Sequence, residues 1–303
     1  MNQLTRRELL EMAVTGVLLS GAARAAMSAG NDRIIISGAS GQLGGQAVKD
    51  LLATGVPAKN LILVSRTPDG LLEYAKLGAA TRFGDFARPE SLSAAFAGGT
   101  RMLLISIGTG AGPRPVAHGH AIDAAKAAGV KQIAYTSWLG ISKGDNQGIA
   151  VDHVATEELL RNSGVAYTFL RNSLYMEILL PQAAKMVADG KATIPPREVQ
   201  VGYVTRNDCA AAAAAVLASP GHDNKIYDIT GPALVGVREV AAAATAATGK
   251  PIALVPADPN APPARSFAGP TLAFTSTAVA DLTGRPATSI KAFLAENRAK
   301  LGS

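Results

Sequence analysis

From Arg33 onward the hydrophobic positions of this chain fall into two alternating patterns. Short runs rich in β-branched and other apolar residues recur at Ile34–Ser37, Leu61–Ser65, Thr81–Phe83, Arg101–Ile105, Gln132–Thr136, Tyr167–Arg171 and Lys225–Thr230. Apolar character on both faces of such short runs predicts strands covered on both sides. Between them lie longer segments with helical spacing, read as helices at Gln42–Ala53, Ser91–Ala97, Gly119–Ala128, Val154–Asn162 and Asp208–Leu217. The alanine block Ala210–Ala215 follows Asn207-Asp208, which can cap it, so it is read as helix. Strand and helix alternating this way predict an α/β fold: a Rossmann-like, doubly wound parallel sheet with crossover helices. Past Gly249 the pattern dissolves, and Pro256–Pro270, rich in Pro and Ala, reads as a loop or a reduced lid.

The first strand breaks into glycines at Gly38, Gly41 and Gly44 and passes directly into the first helix. A dinucleotide pyrophosphate needs this order of elements. Gly38 can take angles barred to other residues, Gly41 lets the backbone approach the phosphates, and Gly44 lets helix and strand pack closely. The candidate cradle is Gly38, Ser40, Gly41, Gln42, Leu43 and Gly44, with the helix N-terminus facing the phosphates. The second strand ends on Arg66, where an NAD-selective site would place an acid for the ribose 2′-hydroxyl. A guanidinium pairs instead with a 2′-phosphate, which predicts NADP as the cofactor.

Composition narrows the field. The 303 residues are 48% hydrophobic and 5% aromatic, enough for one large α/β domain with a smaller lobe. A net charge of +6 without a basic, aromatic-interleaved run argues against a nucleic-acid surface. One cysteine, Cys209, excludes an internal disulfide framework, and four scattered histidines offer no metal cluster. His118 and His120, two apart, read as part of a helix approach. Thr5-Arg6-Arg7-Glu8-Leu9-Leu10, a mild apolar stretch from Met12 to Ala23, and Ala23-Arg24-Ala25 resemble a twin-arginine signal peptide over residues 1–25. That predicts a periplasmic or exported protein; a frayed amphipathic N-terminal helix on a cytoplasmic protein is the alternative. The apolar stretch is too short for a stable membrane span.

The glycine turn, Arg66, Gly84-Asp85-Phe86, Leu104-Ile105-Ser106, Ala134-Tyr135-Thr136-Ser137, His153 with Thr156-Glu157, and Tyr167-Thr168-Phe169-Leu170-Arg171-Asn172 through Tyr175 together resemble the NmrA-like group of atypical short-chain dehydrogenases. Its G-x-x-G-x-x-G spacing is typical of extended and atypical members. Within the group, the resemblance is closest to NADPH-dependent quinone oxidoreductases of the second type and to triphenylmethane reductase. It runs from Arg33 to about Gly249 and resumes at Asp281–Pro286. The resemblance implies one NmrA-like NAD(P)-binding domain over 32–303, with a substrate lobe formed largely by about 173–205 and 231–303. It implies that Asp85 and Phe86 flank the adenine, and that Ser106 and Ile107 lie beside the pyrophosphate and ribose. Thr136, Ser137 and Trp138 would line the nicotinamide, with Arg171, Asn172 and Tyr175 closing the pocket. Taken as residues alone, Asp85 could simply cap a turn, Asn172 satisfy a strand end, Tyr175 be core, and Trp138 either stack an aromatic substrate or pack under a loop.

Ordinary short-chain dehydrogenases donate a proton from a Tyr-x-x-x-Lys pair, and this chain has none: Tyr167 is followed four later by Arg171, and Ala155 stands where related ether reductases carry lysine. The expected reaction is therefore hydride transfer from NADPH to a quinone-like or conjugated aromatic acceptor, which needs little acid help. His153 is the candidate auxiliary proton donor, with a structural role at a helix start as its alternative, and Tyr175 is the second catalytic candidate. Between Ala257 and Ala280 the sequence departs from the group, where relatives carry a longer lobe. A shortened lobe supports a second reading, a non-catalytic NADP-binding redox sensor. The acceptor and the oligomeric state are left open.

Overall fold

Seven strands form one parallel sheet, β1 (Ile34–Ser37), β2 (Leu61–Ser65), β3 (Ala80–Phe83), β4 (Arg101–Leu104), β5 (Gln132–Trp138), β6 (Ala166–Asn172) and β8 (Lys225–Ile229), in the spatial order β3-β2-β1-β4-β5-β6-β8. The structure is a computed structural model describing residues 32–108, 112–258 and 269–302. The expected export signal, and residues 259–268 of the expected loop, lie outside the described residues. Strands β1, β2, β4 and nearly all of β5 are buried, as their apolar runs require of a sheet covered on both faces.

One face is covered by α1 (Gln42–Ala53) and α7 (Arg206–Ala218), with α9 (Ala278–Thr283) beside them. The alanines of the Ala210–Ala215 block have a physical use here: Ala210, Ala212, Ala213 and Ala214 are buried against α1 and the sheet. The other face carries α3 (Leu92–Phe96), α4 (Arg114–Ala127) and α5 (Ile149–Ser163); the short α2 (Leu72–Lys76) leads into β3. A further core joins α6 (Leu180–Asp189), α8 (Val237–Thr248) and α10 (Ile290–Glu296), with a two-stranded parallel sheet of β7 (Lys191–Ile194) and β9 (Ala253–Pro256) alongside.

Three helix starts differ from expectation. Helix α4 begins at Arg114 rather than Gly119, because Pro115 sits in the first turn, where its missing N–H costs nothing. Helix α5 begins at Ile149 rather than Val154. Helix α7 is capped by Thr205, not by Asn207-Asp208: Thr205 Oγ1 accepts from the Asp208 N–H at 3.0 Å. The Asp208 carboxylate, fully buried, instead accepts from Arg285 Nη1 at 2.7 Å and the Thr288 N–H at 2.8 Å, pinning the C-terminal segment to this helix. The β7–β9 pair was not expected, since each strand has only four residues and its partner is remote in sequence.

Candidate functional site

The chain runs outward from β1 to β2 and β3 on one side and to β4, β5 and β6 on the other, so a crevice opens at the carboxyl ends of β1 and β4. A cleft of about 710 Å³ occupies it, bounded by the glycine turn, Ser65–Thr67, Gly84–Phe86 and Ile105–Gly108. Gly38 has φ +64°, the left-handed region, and its carbonyl accepts the Gly41 N–H at 2.9 Å. A Cβ on Gly44 would lie 2.3 Å from the Gly38 carbonyl oxygen, and one on Gly41 3.1 Å from it. Positions 41 and 44 are therefore crowded against the Gly38 carbonyl, which keeps them to glycine and leaves backbone facing the cleft. No side chain caps α1 and no acid stands in its first turn, leaving its positive end for an anion. Gln42 is exposed at this end, whereas the Leu43 side chain is core, so Leu43 can offer only its backbone.

At the mouth of the cleft Arg66 is exposed and, among the described residues, has no carboxylate partner. Beside it three hydroxyls cluster. Ser40 Oγ and Ser65 Oγ are 2.6 Å apart, Ser65 Oγ and Thr67 Oγ1 3.3 Å, and Ser65 Oγ also accepts the Thr67 N–H at 2.9 Å. Asp85 caps its own turn, accepting the Ala87 N–H on Oδ1 at 3.1 Å, while still bounding the cleft. Phe86 is almost buried in the wall.

The loop after β4 is held by four side chains from three different elements. The N–H groups of Ile105, Ser106 and Ile107 donate in turn to Ser37 Oγ at 2.9 Å, Thr136 Oγ1 at 2.8 Å and His118 Nε2 at 3.2 Å, and the Ile107 carbonyl accepts from Arg114 Nε at 2.8 Å. Their protons are committed, so these amides shape the cleft rather than bind the anion. His118 is fully buried; its Nδ1 lies 2.9 Å from Thr156 Oγ1, whose own proton goes to the Asp152 carbonyl. Nδ1 is thus the protonated nitrogen. Burial above all, then the charges of His153 and Arg114, brings the His118 pKa down to about 3, which keeps Nε2 an acceptor.

Several side chains expected near the nicotinamide have other work. His153 lies inside α5, 4% exposed, with Nδ1 2.7 Å from the Tyr135 hydroxyl. Burial, with Arg114 adding, lowers its pKa to about 3. A closed-off neutral ring has no acidic proton to give near neutral pH, so the expected auxiliary donor is corrected to a core residue. Ser137 Oγ donates to Glu157 Oε1 at 2.6 Å, and Arg171 grips the same carboxylate through Nε at 2.9 Å and Nη2 at 2.7 Å. Both are buried, turned toward α5 rather than toward a ligand. Trp138 donates to Asp145 Oδ2 at 2.9 Å and packs beside Leu139, Val201 and Leu272, the packing alternative.

Asn172 and Tyr175 sit at the carboxyl end of β6 and just beyond it. Asn172 is 4% exposed, and its Oδ1 has no partner among the described residues, a buried acceptor that a ligand N–H or O–H would satisfy. Tyr175 is half-buried; burial, with Cys209 behind it, raises its pKa, while the Asn172 amide and Arg206, 4.9 Å from the ring centroid, oppose the rise. It remains a phenol at neutral pH. The roles of Ser37, Ser65, Thr67, Arg114 and His118 were missed from sequence. Their one visible trace was a serine closing each of two otherwise apolar strand runs.

Residues 38–220 match the family described as NAD(P)H-binding. The chain belongs to this family. It is 37% identical over 219 residues to quinone oxidoreductase 2 of Escherichia coli, covering 72% of this chain and 76% of that one. It is 31% identical over 223 residues to an NAD(P)H azoreductase of Xenophilus azovorans, covering 73% and 76%. The structure of Citrobacter triphenylmethane reductase complexed with NADP(H) superposes with a TM-score of 0.76 at 30% identity, over 88% of this chain and 99% of that one. The NmrA-like resemblance, the Rossmann-like sheet and nicotinamide-nucleotide binding are thereby borne out. No helix among the described residues is long and apolar enough to cross a membrane.

Proposed function

We propose that this protein is an NADPH-dependent oxidoreductase that delivers hydride to a quinone-like or conjugated aromatic acceptor. The observation that carries the reading is the glycine cradle opening beside Arg66, which has no carboxylate partner among the described residues, and the Ser40–Ser65–Thr67 hydroxyls. The cofactor supplies the hydride. The backbone of Gly38–Leu43 and the end of α1 bind the pyrophosphate, Arg66 with Ser40 and Thr67 takes the 2′-phosphate, and Phe86 walls the adenine. Asn172 offers its unsatisfied oxygen at the nicotinamide end, and Tyr175 holds a proton nearby.

Helix α5 carries neither tyrosine nor lysine, and Tyr167 and Arg171 lie in β6, so built-in carbonyl acid catalysis has no support. A quinone needs none: hydride addition gives a stabilised phenolate that water protonates, and holding the acceptor against the nicotinamide supplies the rate. The names of the quinone and azo reductase relatives fit this substrate class. The test is NADPH consumption by the purified chain with a naphthoquinone, an azo dye and a triphenylmethane dye. Turnover of at least one supports the reading; tight NADPH binding without turnover of any favours the sensor, and absence of nucleotide binding overturns both. Export by the twin-arginine route is proposed on Thr5–Leu10 and the stretch behind it.

A further inference from the structure

The two histidines of α4, His118 and His120, take no part in the chemistry above, yet each reaches a different wall of the cleft. Side chains two apart on a helix diverge rather than share a face, and here one reaches the Ile107 backbone and the other the Phe86 backbone. His118 accepts the Ile107 N–H at 3.2 Å, and its ring meets Phe86 edge-on, with centroids 6.3 Å apart. His120 Nδ1 lies 3.1 Å from the Phe86 carbonyl oxygen, so that nitrogen donates. Phe86 closes the cleft from the β3 side and Ile107 from the β4 side. The gap between them is thus spanned by one rigid helix rather than by the flanking loops themselves. Arg114, one turn earlier, completes the brace by holding the Ile107 carbonyl and Asp152 of α5, the latter at 2.9 Å.

We propose that His118 and His120 are positioning residues that set the width of the adenine slot by fixing Ile107 and Phe86 to α4. The inference rests on the proposed NADPH reading, and it makes a narrower claim: the histidines govern affinity for the adenosine half of the nucleotide and not the hydride step. Neither ring touches the reacting end.

The test uses the full-length chain with NADPH and with 2′,5′-ADP, an adenine-side fragment lacking nicotinamide, as the probes. His118→Leu removes the acceptor for the Ile107 N–H; His118→Gln keeps an acceptor and a donor; His120→Leu releases the Phe86 carbonyl at a half-buried position. The expected result is a loss of about tenfold or more in affinity for both probes with His118→Leu and His120→Leu, by similar factors for each probe. Turnover at saturating NADPH stays within about threefold of wild type, and His118→Gln recovers most of the affinity. A merely structural role would lower thermal stability without this split. The inference is overturned if folded His120→Leu binds both probes as wild type does, if turnover falls while affinities hold, or if His118→Gln is no better than His118→Leu. Should His118→Leu fail to fold, His120→Leu and His118→Gln decide alone. Failure of wild type to bind NADPH would sink the functional reading itself, which separates the two.

Discussion

Under the proposed function, cofactor choice turns on Arg66. Its guanidinium, without a carboxylate partner among the described residues, stands beside three hydroxyls at the cleft mouth, and charge-assisted hydrogen bonds of this kind contribute about 1.5 to 3 kcal/mol. Arg66→Asp is expected to weaken NADPH binding at least tenfold while NADH binding changes little, measured by fluorescence titration; equal losses would refute the assignment. Gly44 is as exacting for a steric reason. A Cβ there lies 2.3 Å from backbone oxygen, so Gly44→Ala must displace the turn, with an expected cost of about 1 to 3 kcal/mol in urea unfolding and a clear loss of NADPH affinity. His153, in contrast, is expected to be dispensable for chemistry. His153→Ala should keep quinone turnover within about tenfold, less than the hundredfold or more that removal of a working acid costs. Its effect belongs to stability. His118 and His153 fall from an ordinary value of 6.5 to about 3 in the fold, so between those pH values the unfolded chain binds more protons. Stability is therefore present above pH 6.5 and lost as pH falls toward 3, by at most about 2.7 kcal/mol per histidine at pH 4.5. Urea unfolding at pH 7 and 4.5 should show His153→Gln losing less on acidification than wild type.

Among elements, α5 is the one whose docking depends on charge. Glu157, 1% exposed, takes Ser137, Nε and Nη2 of Arg171, and Arg161 at 2.9 Å, tying the helix to β5 and β6. Arg171 Nη1 also reaches Ser142 Oγ at 3.0 Å, which in turn bonds Asp228 of β8. Removing one partner of a buried pair leaves the other charge stranded, at a cost of about 3 to 5 kcal/mol, whereas replacing both with apolar groups is often close to neutral. Arg171→Met is therefore expected to destabilise strongly, and Arg171→Met with Glu157→Leu less than Arg171→Met alone. A double-mutant cycle by urea unfolding measures this; additive losses would show that the pair is not coupled. The same network explains why conspicuous polar residues in a Thr-Ser and an Arg-Asn pair misled a reading by motif. In each pair successive side chains point to opposite faces of the sheet, so Ser137 and Arg171 meet Glu157 of α5 while Thr136 and Asn172 point to the other face.

For the whole molecule, the open question of consequence is where the nucleotide is loaded. The twin-arginine route carries folded proteins, and free NADPH is not expected outside the cytoplasm, so an exported reductase would need its nucleotide bound beforehand and held. Cells expressing the full chain and an Arg6→Lys, Arg7→Lys version should differ in compartment, and the exported protein should release NADP on denaturation. Residence of the wild type in the cytoplasm removes the premise, and exported protein without nucleotide removes the mechanism.

Read by itself, the sequence determined the seven strands of the main sheet in their order along the chain, the glycine turn, the Arg66 position and the family, because each is written in local periodicity or in a turn that only glycine permits. The Ala210–Ala215 helix was legible from its composition and a polar start, though its cap is Thr205 rather than Asn207-Asp208. Tertiary structure alone decided what the polar residues do. Ser137 and Arg171 look in sequence like any site residues near a strand end, and His118 and His153 like polar residues at a helix start; which partner each one meets depends on segments tens of residues away. Strand pairing between β7 and β9, and the brace from α4 to Ile107 and Phe86, are likewise contacts between distant segments. No local pattern encodes them, because their free energy arises only when packing removes water from both partners at once.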